Sequence, residues 1–290
     1  PSAGTLTGSG RNILLVRLDT NGAVIWTRSG GSSVSDELSA VVSDGARIYV
    51  GYIGGQTPVR WYSGAGTQLG TSSATRNDHH ITAFDMNGNW GWTRAFTDPS
   101  SNIEGPMRLA LGCGRVYAAG AVDGGTVIGD VTATGGTGND YFFVARLVPT
   151  DGQVEWVRIG STAATGNNFH PYAMAVGTYG TVHIGGSFAG SVQFQGHTVT
   201  AGSGTDIFLL SIDANGQTVH FGGIPSNGDQ QLYGMAADHR GGLAIVGTFR
   251  AEMALPGAAL TGPSGNANAF VAWGQIGPRL PEFGMPSRFE

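Results

Sequence analysis

The chain has 290 residues, enough to bury a sizeable core, with 50 glycines and only 12% charged residues. Its net charge of −5 comes from 15 basic residues, all of them Arg, against 20 acidic ones, which leaves no basic footprint for nucleic acid or an anionic lipid surface. No apolar run approaches the ~18 residues of a membrane span, and the abundance of Gly, Ser and Thr points to short strands joined by tight turns.

In chain order, the sequence opens at Pro1 without Met or a signal segment, which suggests a processed, trimmed or fragmentary start. NILLVRLD (12–19) alternates apolar and polar residues as a half-buried strand does, and AVIWTRS (23–29) follows across a turn. ELSAVVSDG (37–45) and RIYVGYIGG (47–55) form a second expected hairpin, followed by the insert QTPVRWYSGAGTQLG (56–70). The same order returns in YAMAVGTYG and TVHIGGSFAG (172–190), with the insert SVQFQGHTVTAGSG (191–204), and again in LYGMAADHRGG and LAIVGTFRA (232–251). The tail GPRLPEFGMPSRFE (277–290) is Pro-rich, lacks strand alternation and reads as a linker or docking extension beyond a single domain at 1–276. Nothing reads as an amphipathic helix.

LDTNGAVIW (18–26), FDMNGNWGW (84–92), VPTDGQVEW (148–156) and IDANGQTVH (212–220) are copies of one element. Their glycines, Gly22, Gly88, Gly152 and Gly216, lie 66, 64 and 64 residues apart. Four residues after each stands Trp26, Trp92, Trp156 and then His220. A small polar pair opens a strand at Asn12, Asp78, Asp140, Asp206 and Asn268. Asp19, Asp85 and Asp213 are expected to cap turn amides while the glycine takes positive φ, ending a short hairpin in a bulge. Each Trp is expected to fill the space between adjacent sheets.

Four-stranded units at this spacing are the mark of β-propeller blades. GTVHIGGSFAGSVQFQGHTVTAGSGTDIFLLSIDANGQTVHFGG (180–223) resembles the bacterial SBBP-type β-propeller repeat, and the D-x-x-x-G-x-x-x-W element is more weakly similar to the tryptophan-docking repeats of quinoprotein-like propellers. The resemblance spans nearly the whole chain. It implies an all-β propeller of about 4.5 repeats, with five blades or part of a larger ring, whose recurring residues hold blades together. There are five copies of the strand that starts at residue 12 but four of each other strand, so either a terminal strand is redundant or an upstream hairpin is missing.

Sites are sought where the copies differ. Arg60, Trp61 and Tyr62, and Phe169, His170 and Tyr172, could stack on a sugar or anchor a protein, or else cover a small core of their own. Trp90 and Trp273 are similar cases. His79 and His80 are adjacent on a strand and point to opposite faces, so they cannot chelate one ion together. His170, His183, His197 and His239 show no ligand spacing. D-x-N-G resembles half a calcium loop but lacks the closing acid, so turn capping accounts for the Asp and no cofactor is expected. Cys113, alone among small residues, is expected to be a buried thiol. No G-x-S-x-G, P-loop or H-E-x-x-H pattern occurs, and no enzyme is expected. The expected role is that of an extracellular or cell-surface structural or protein-binding module, possible in the periplasm, able to self-assemble through open sheet edges. A lectin-like glycan binder and a polysaccharide hydrolase are the alternatives.

Overall fold

The computed structural model describes residues 10–55, 57–72, 78–97, 105–134, 141–162, 169–177, 180–238, 241–255, 257–263, 265–275 and 282–284. Asp140, His239 and most of the tail lie outside them. All named elements are β-strands, and all pairings are antiparallel.

The second sheet shows the plan. Strands β3 (Glu37–Ser43), β4 (Arg47–Gly54), β7 (Asp78–Asp85) and β8 (Trp90–Phe96) pair as a meander in that order. The same plan recurs in β9 (Arg108–Gly112), β10 (Arg115–Val122), β13 (Tyr141–Leu147) and β14 (Val154–Thr162), and in β15 (His170–Val176), β16 (Val182–Phe188), β19 (Asp206–Ile212) and β20 (Thr218–Ile224). The fifth sheet has β21 (Gln230–Ala237), β22 (Gly242–Phe249), β25 (Asn268–Gln275) and β26 (Glu282–Gly284). The first sheet has β1 (Ile13–Leu18) and β2 (Val24–Gly31), the counterparts of a third and a fourth strand, without a first pair among the described residues.

Two expectations change here. The four-strand unit read from residue 12 is split between sheets, because the β2–β3 connection crosses to the next sheet while the turns close hairpins within one. The tail, read as a linker, supplies β26, which pairs with β25 through Trp273↔Gly284 and completes the last meander. Three residues among prolines carry too little alternation to announce a strand.

Each insert between a second and a third strand reaches back to the preceding sheet. The hairpin of β5 (Arg60–Ser63) and β6 (Gln68–Thr71) pairs with β2, and that of β17 (Ser191–Phe194) and β18 (His197–Thr200) pairs with β14. The short hairpin of β11 (Val127–Ile128) and β12 (Val131–Thr132) bridges the end of β8 through Thr97↔Val127. A fourth, of β23 (Glu252–Leu255) and β24 (Ala258–Thr261), lies near β20.

Four apolar cores join the five sheets in chain order. Ile13, Trp26, Tyr52, Trp61 and Phe84 join the first to the second. Tyr49, Ile81, Trp92, Leu109 and Phe143 join the second to the third. Phe142, Val144, Ile184 and Phe208 join the third to the fourth, and Ile207, Leu209, Leu232 and Ile245 join the fourth to the fifth. Strands with both faces covered, such as β7 and β19, are buried almost throughout. No such core joins the fifth sheet to the first among the described residues.

Candidate functional site

The recurring turn and its Trp form a docking seat between sheets. The Oδ1 of Asp19 accepts the amides of Asn21 and Ala23, that of Asp85 accepts Asn87 and Asn89, and that of Asp213 accepts Asn215 and Gln217, all at 2.8 Å. In the third copy the cap shifts to Asp151, which accepts Gln153 N at 2.9 Å. Burial tends to raise the Asp85 carboxyl, but the amides and side chain that hydrogen-bond to it hold it below its ordinary value. The four glycines have φ between 70° and 81°, and a bulge follows Arg17, Ala83, Arg146 and Ser211 in the preceding strand.

A turn locked this way aims its carbonyls outward, where the preceding sheet uses them. Trp26 Nε1 donates to the Met86 carbonyl at 3.0 Å, Trp92 Nε1 to Pro149 at 2.9 Å, and Trp156 Nε1 to Ala214 at 3.1 Å. Two residues on, an arginine completes the seat. Arg28 donates to the carbonyls of Gly88 and Asn87 at 2.6 and 3.0 Å, and Arg94 to those of Gly152 and Asp151, both at 3.0 Å. Arg158 reaches those of Gly216 and Asn215 at 3.0 and 2.9 Å. The guanidinium also lies over its own indole, 4.8 Å from the ring centre for Arg28 and 5.4 Å for Arg158. The Trp was legible in the sequence. The arginines were not singled out, although IWTRS, GWTRA and EWVRI carry them at constant spacing. In the fourth copy His220 and Gly222 stand in these places.

The residues expected to bind ligands are dispersed. Trp61 is fully buried, edge-on to Tyr52 and Phe84 with centroids 5.6 and 5.0 Å away, and its indole donates to Tyr52 Oη at 3.3 Å. Phe169 is likewise buried, stacked on Phe142 at 4.2 Å and Phe208 at 4.1 Å. Neither can stack on a sugar, because Trp61 of the β5–β6 insert and Phe169, just ahead of β15, are each spent on an inter-sheet core. Arg60 stays exposed, Tyr62 and Tyr172 are partly buried, and the Tyr172 carbonyl accepts Arg108 Nε at 2.7 Å. Trp90 is partly buried, its indole donating to Thr93 Oγ1 at 3.2 Å.

His79 and His80 lie on opposite faces, as the strand period requires. His79 Nε2 lies 3.1 Å from the Ala121 carbonyl, whereas His80 stacks flat on Tyr52 at 5.0 Å. Burial pushes His80 down to about 3, with a smaller contribution from His79. Cys113, expected buried, is exposed: it occupies the β9–β10 turn with φ 47°. Buried Asp206 is a structural acid that accepts the amides of Gly202 and Ser226. A cleft of about 450 Å³ opens beside Arg94, Thr97, Asp130 and Gln153.

Both end sheets carry uncovered apolar rows. Aligned on the bulge, Leu14, Val16 and Leu18 of β1 correspond to His80, Thr82 and Phe84 of β7 and to Phe208, Leu210 and Ile212 of β19. The latter are buried, whereas Leu14, Val16 and Leu18 are 55%, 39% and 52% exposed. At the other end, Val271 and Trp273 are 41% and 52% exposed where their counterparts Ile81 and Ala83 are buried. Val246, paired with Val271, and Tyr233 are exposed beside them.

No helix among the described residues is long and apolar enough to cross a membrane. Comparison with known protein families and with curated proteins finds no match. Among solved structures, the crystal structure of BamB from Moraxella catarrhalis is similar over 86% of this chain and 83% of that one, at 10% sequence identity and a TM-score of 0.30.

Proposed function

We propose that this chain is a non-enzymatic β-propeller module of SBBP-type repeats, exported to the cell surface or beyond. It binds other proteins and takes its place in a structural assembly. Repeated four-stranded meanders support the propeller, as do the first strands β3, β9, β15 and β21, which lie next to one another as they would around an axis. The observation that carries the functional reading is the pair of uncovered end faces, Leu14–Val16–Leu18 and Val246–Val271–Trp273, at positions that interior sheets bury. Contiguous apolar rows of this kind mark interaction surfaces. A glycan-binding alternative would rest on Arg60, Tyr62 and Tyr172, since Trp61 and Phe169 are committed to packing.

Sedimentation velocity over a concentration series tests this reading. Association that Val271→Glu or Val16→Glu suppresses, with the circular dichroism unchanged, is the expected result. A chain that stays monomeric at the highest concentration, with or without these changes, would remove self-assembly through the end faces.

A further inference from the structure

We infer that the turn Asp19–Gly22 is an open docking seat that accepts a Trp-x-Arg strand from a partner polypeptide built of the same repeat. This rests on the docking-module reading and adds the partner's chemistry.

The first turn is built like the filled ones. It has the Asp cap at 2.8 Å found at Asp85 and Asp213, and the positive-φ glycine and strand-end bulge common to all of them. At the other three turns the glycine is buried beneath its occupant. A Cβ added to Gly152 would sit 2.5 Å from the Trp92 ring, at Gly216 3.1 Å from that of Trp156, and at Gly88 2.6 Å from the Arg28 guanidinium. At Gly22 it would meet no described atom within 4 Å, and Thr20, Asn21 and Gly22 are exposed. Their carbonyls are the counterparts of Met86, Asn87 and Gly88, which take the Trp26 indole N–H and two N–H groups of Arg28, with Arg17 also donating to Met86.

Among the described residues, the chain's own strands do not supply the occupant. Trp26 with Arg28, Trp92 with Arg94 and Trp156 with Arg158 already fill the next seat along, and the fourth outer strand offers His220 and Gly222. A second copy of the chain has its pairs engaged in the same way. The surroundings of the seat favour a strand-bearing partner. β1 pairs only with β2 among the described strands and shows the apolar row described above, so one edge remains for augmentation.

A synthetic peptide of residues 141–162, the β13–β14 hairpin with Trp156 and Arg158, serves as the probe against the ¹⁵N-labelled full chain. Amide shifts at Asn21, Gly22 and Ala23, with Gly88, Gly152 and Gly216 unmoved, are expected. Peptide carrying both Trp156→Ala and Arg158→Ala should bind roughly tenfold or more weakly, given the hydrogen bonds lost. No shift at residues 20–23 with millimolar peptide would overturn the inference, as would equal shifts with the doubly substituted peptide or shifts spread over the filled seats. Because the seat is read without any self-association, a monomeric chain that binds the peptide separates this inference from the assembly reading. An associating chain that ignores the peptide does the reverse.

Discussion

Glycine and tryptophan at the seats make a matched pair of residue-level tests. Gly22→Ala and Gly152→Ala both force an L-residue to positive φ, which costs about 1–2 kcal/mol. Only at Gly152 does the new methyl also run into a Trp ring, 2.5 Å away, so Gly152→Ala should cost roughly twice as much in urea unfolding. Trp92→Ala should cost about 3–5 kcal/mol, whereas Trp92→Phe keeps much of the packing and loses about 1 kcal/mol with the bond to Pro149. Equal costs for the two glycines would mean that the ring does not rest on the turn. His80 adds a pH test. In the unfolded chain it titrates near 6.5, but burial holds it at about 3 in the fold, and His183 at about 4. Between those values the unfolded chain binds protons that the folded chain refuses, so stability falls as the pH drops from about 6.5 and levels off below about 3. The bulge-aligned copies carry Phe143 and Phe208 at the place of His80. His80→Phe should therefore reduce the loss between neutral pH and pH 4 by on the order of a few kcal/mol. An unchanged pH slope would show that His80 is not the group responsible.

At the scale of elements, the inserts act as straps that fasten one sheet to the one before. β17 extends the third sheet through Gly160↔Phe194, Ser161↔Gln193 and Thr162↔Val192, and Phe194 is buried 5.3 Å from Phe142 and 6.1 Å from Phe221. Gln193→Pro removes a ladder donor and clashes with the neighbouring pairings. Hydrogen exchange should then rise at residues 160–162 while β13 keeps its protection, because β13 is paired on both sides within its own sheet. Strap pairing was not legible in the sequence. A hairpin turn such as DTNG is dictated by four adjacent residues, so Asp19, Gly22 and their counterparts could be assigned from chemistry alone. Trp61 and Phe169 sit in short segments among polar neighbours, and their burial depends on a sheet reached only after folding. The exposure of Cys113 was missed for the opposite reason. LGCGRVYAAG is rich in small and apolar residues, but Cys113 and Gly114 form the turn between β9 and β10.

For the molecule as a whole, stability is distributed along a row of sheets, each joined to its neighbours by one core and one strap. In such arrays an end unit contributes one interface where an interior unit contributes two. The first sheet is held by the core with Tyr52 and Phe84 and by the β5–β6 strap, all on one side. Its strand β1 has β2 as its only described neighbour, while β7, the equivalent strand of the second sheet, is bonded on one edge to β4 and on the other to β8. Local opening of β1 therefore breaks one ladder, and opening of β7 breaks two with an apolar core on each face. In native-state hydrogen exchange, residues 13–18 should exchange well ahead of residues 79–84, although both segments have nearly the same strand–turn design. Binding of the Trp-x-Arg hairpin at Asp19–Gly22 should slow exchange at the 19–23 turn and leave residues 79–84 unaffected, since it adds contacts only at the open end. Equal protection of the two segments in the free chain would mean that β1 is already covered on its second edge, and the end face would then be an interior one.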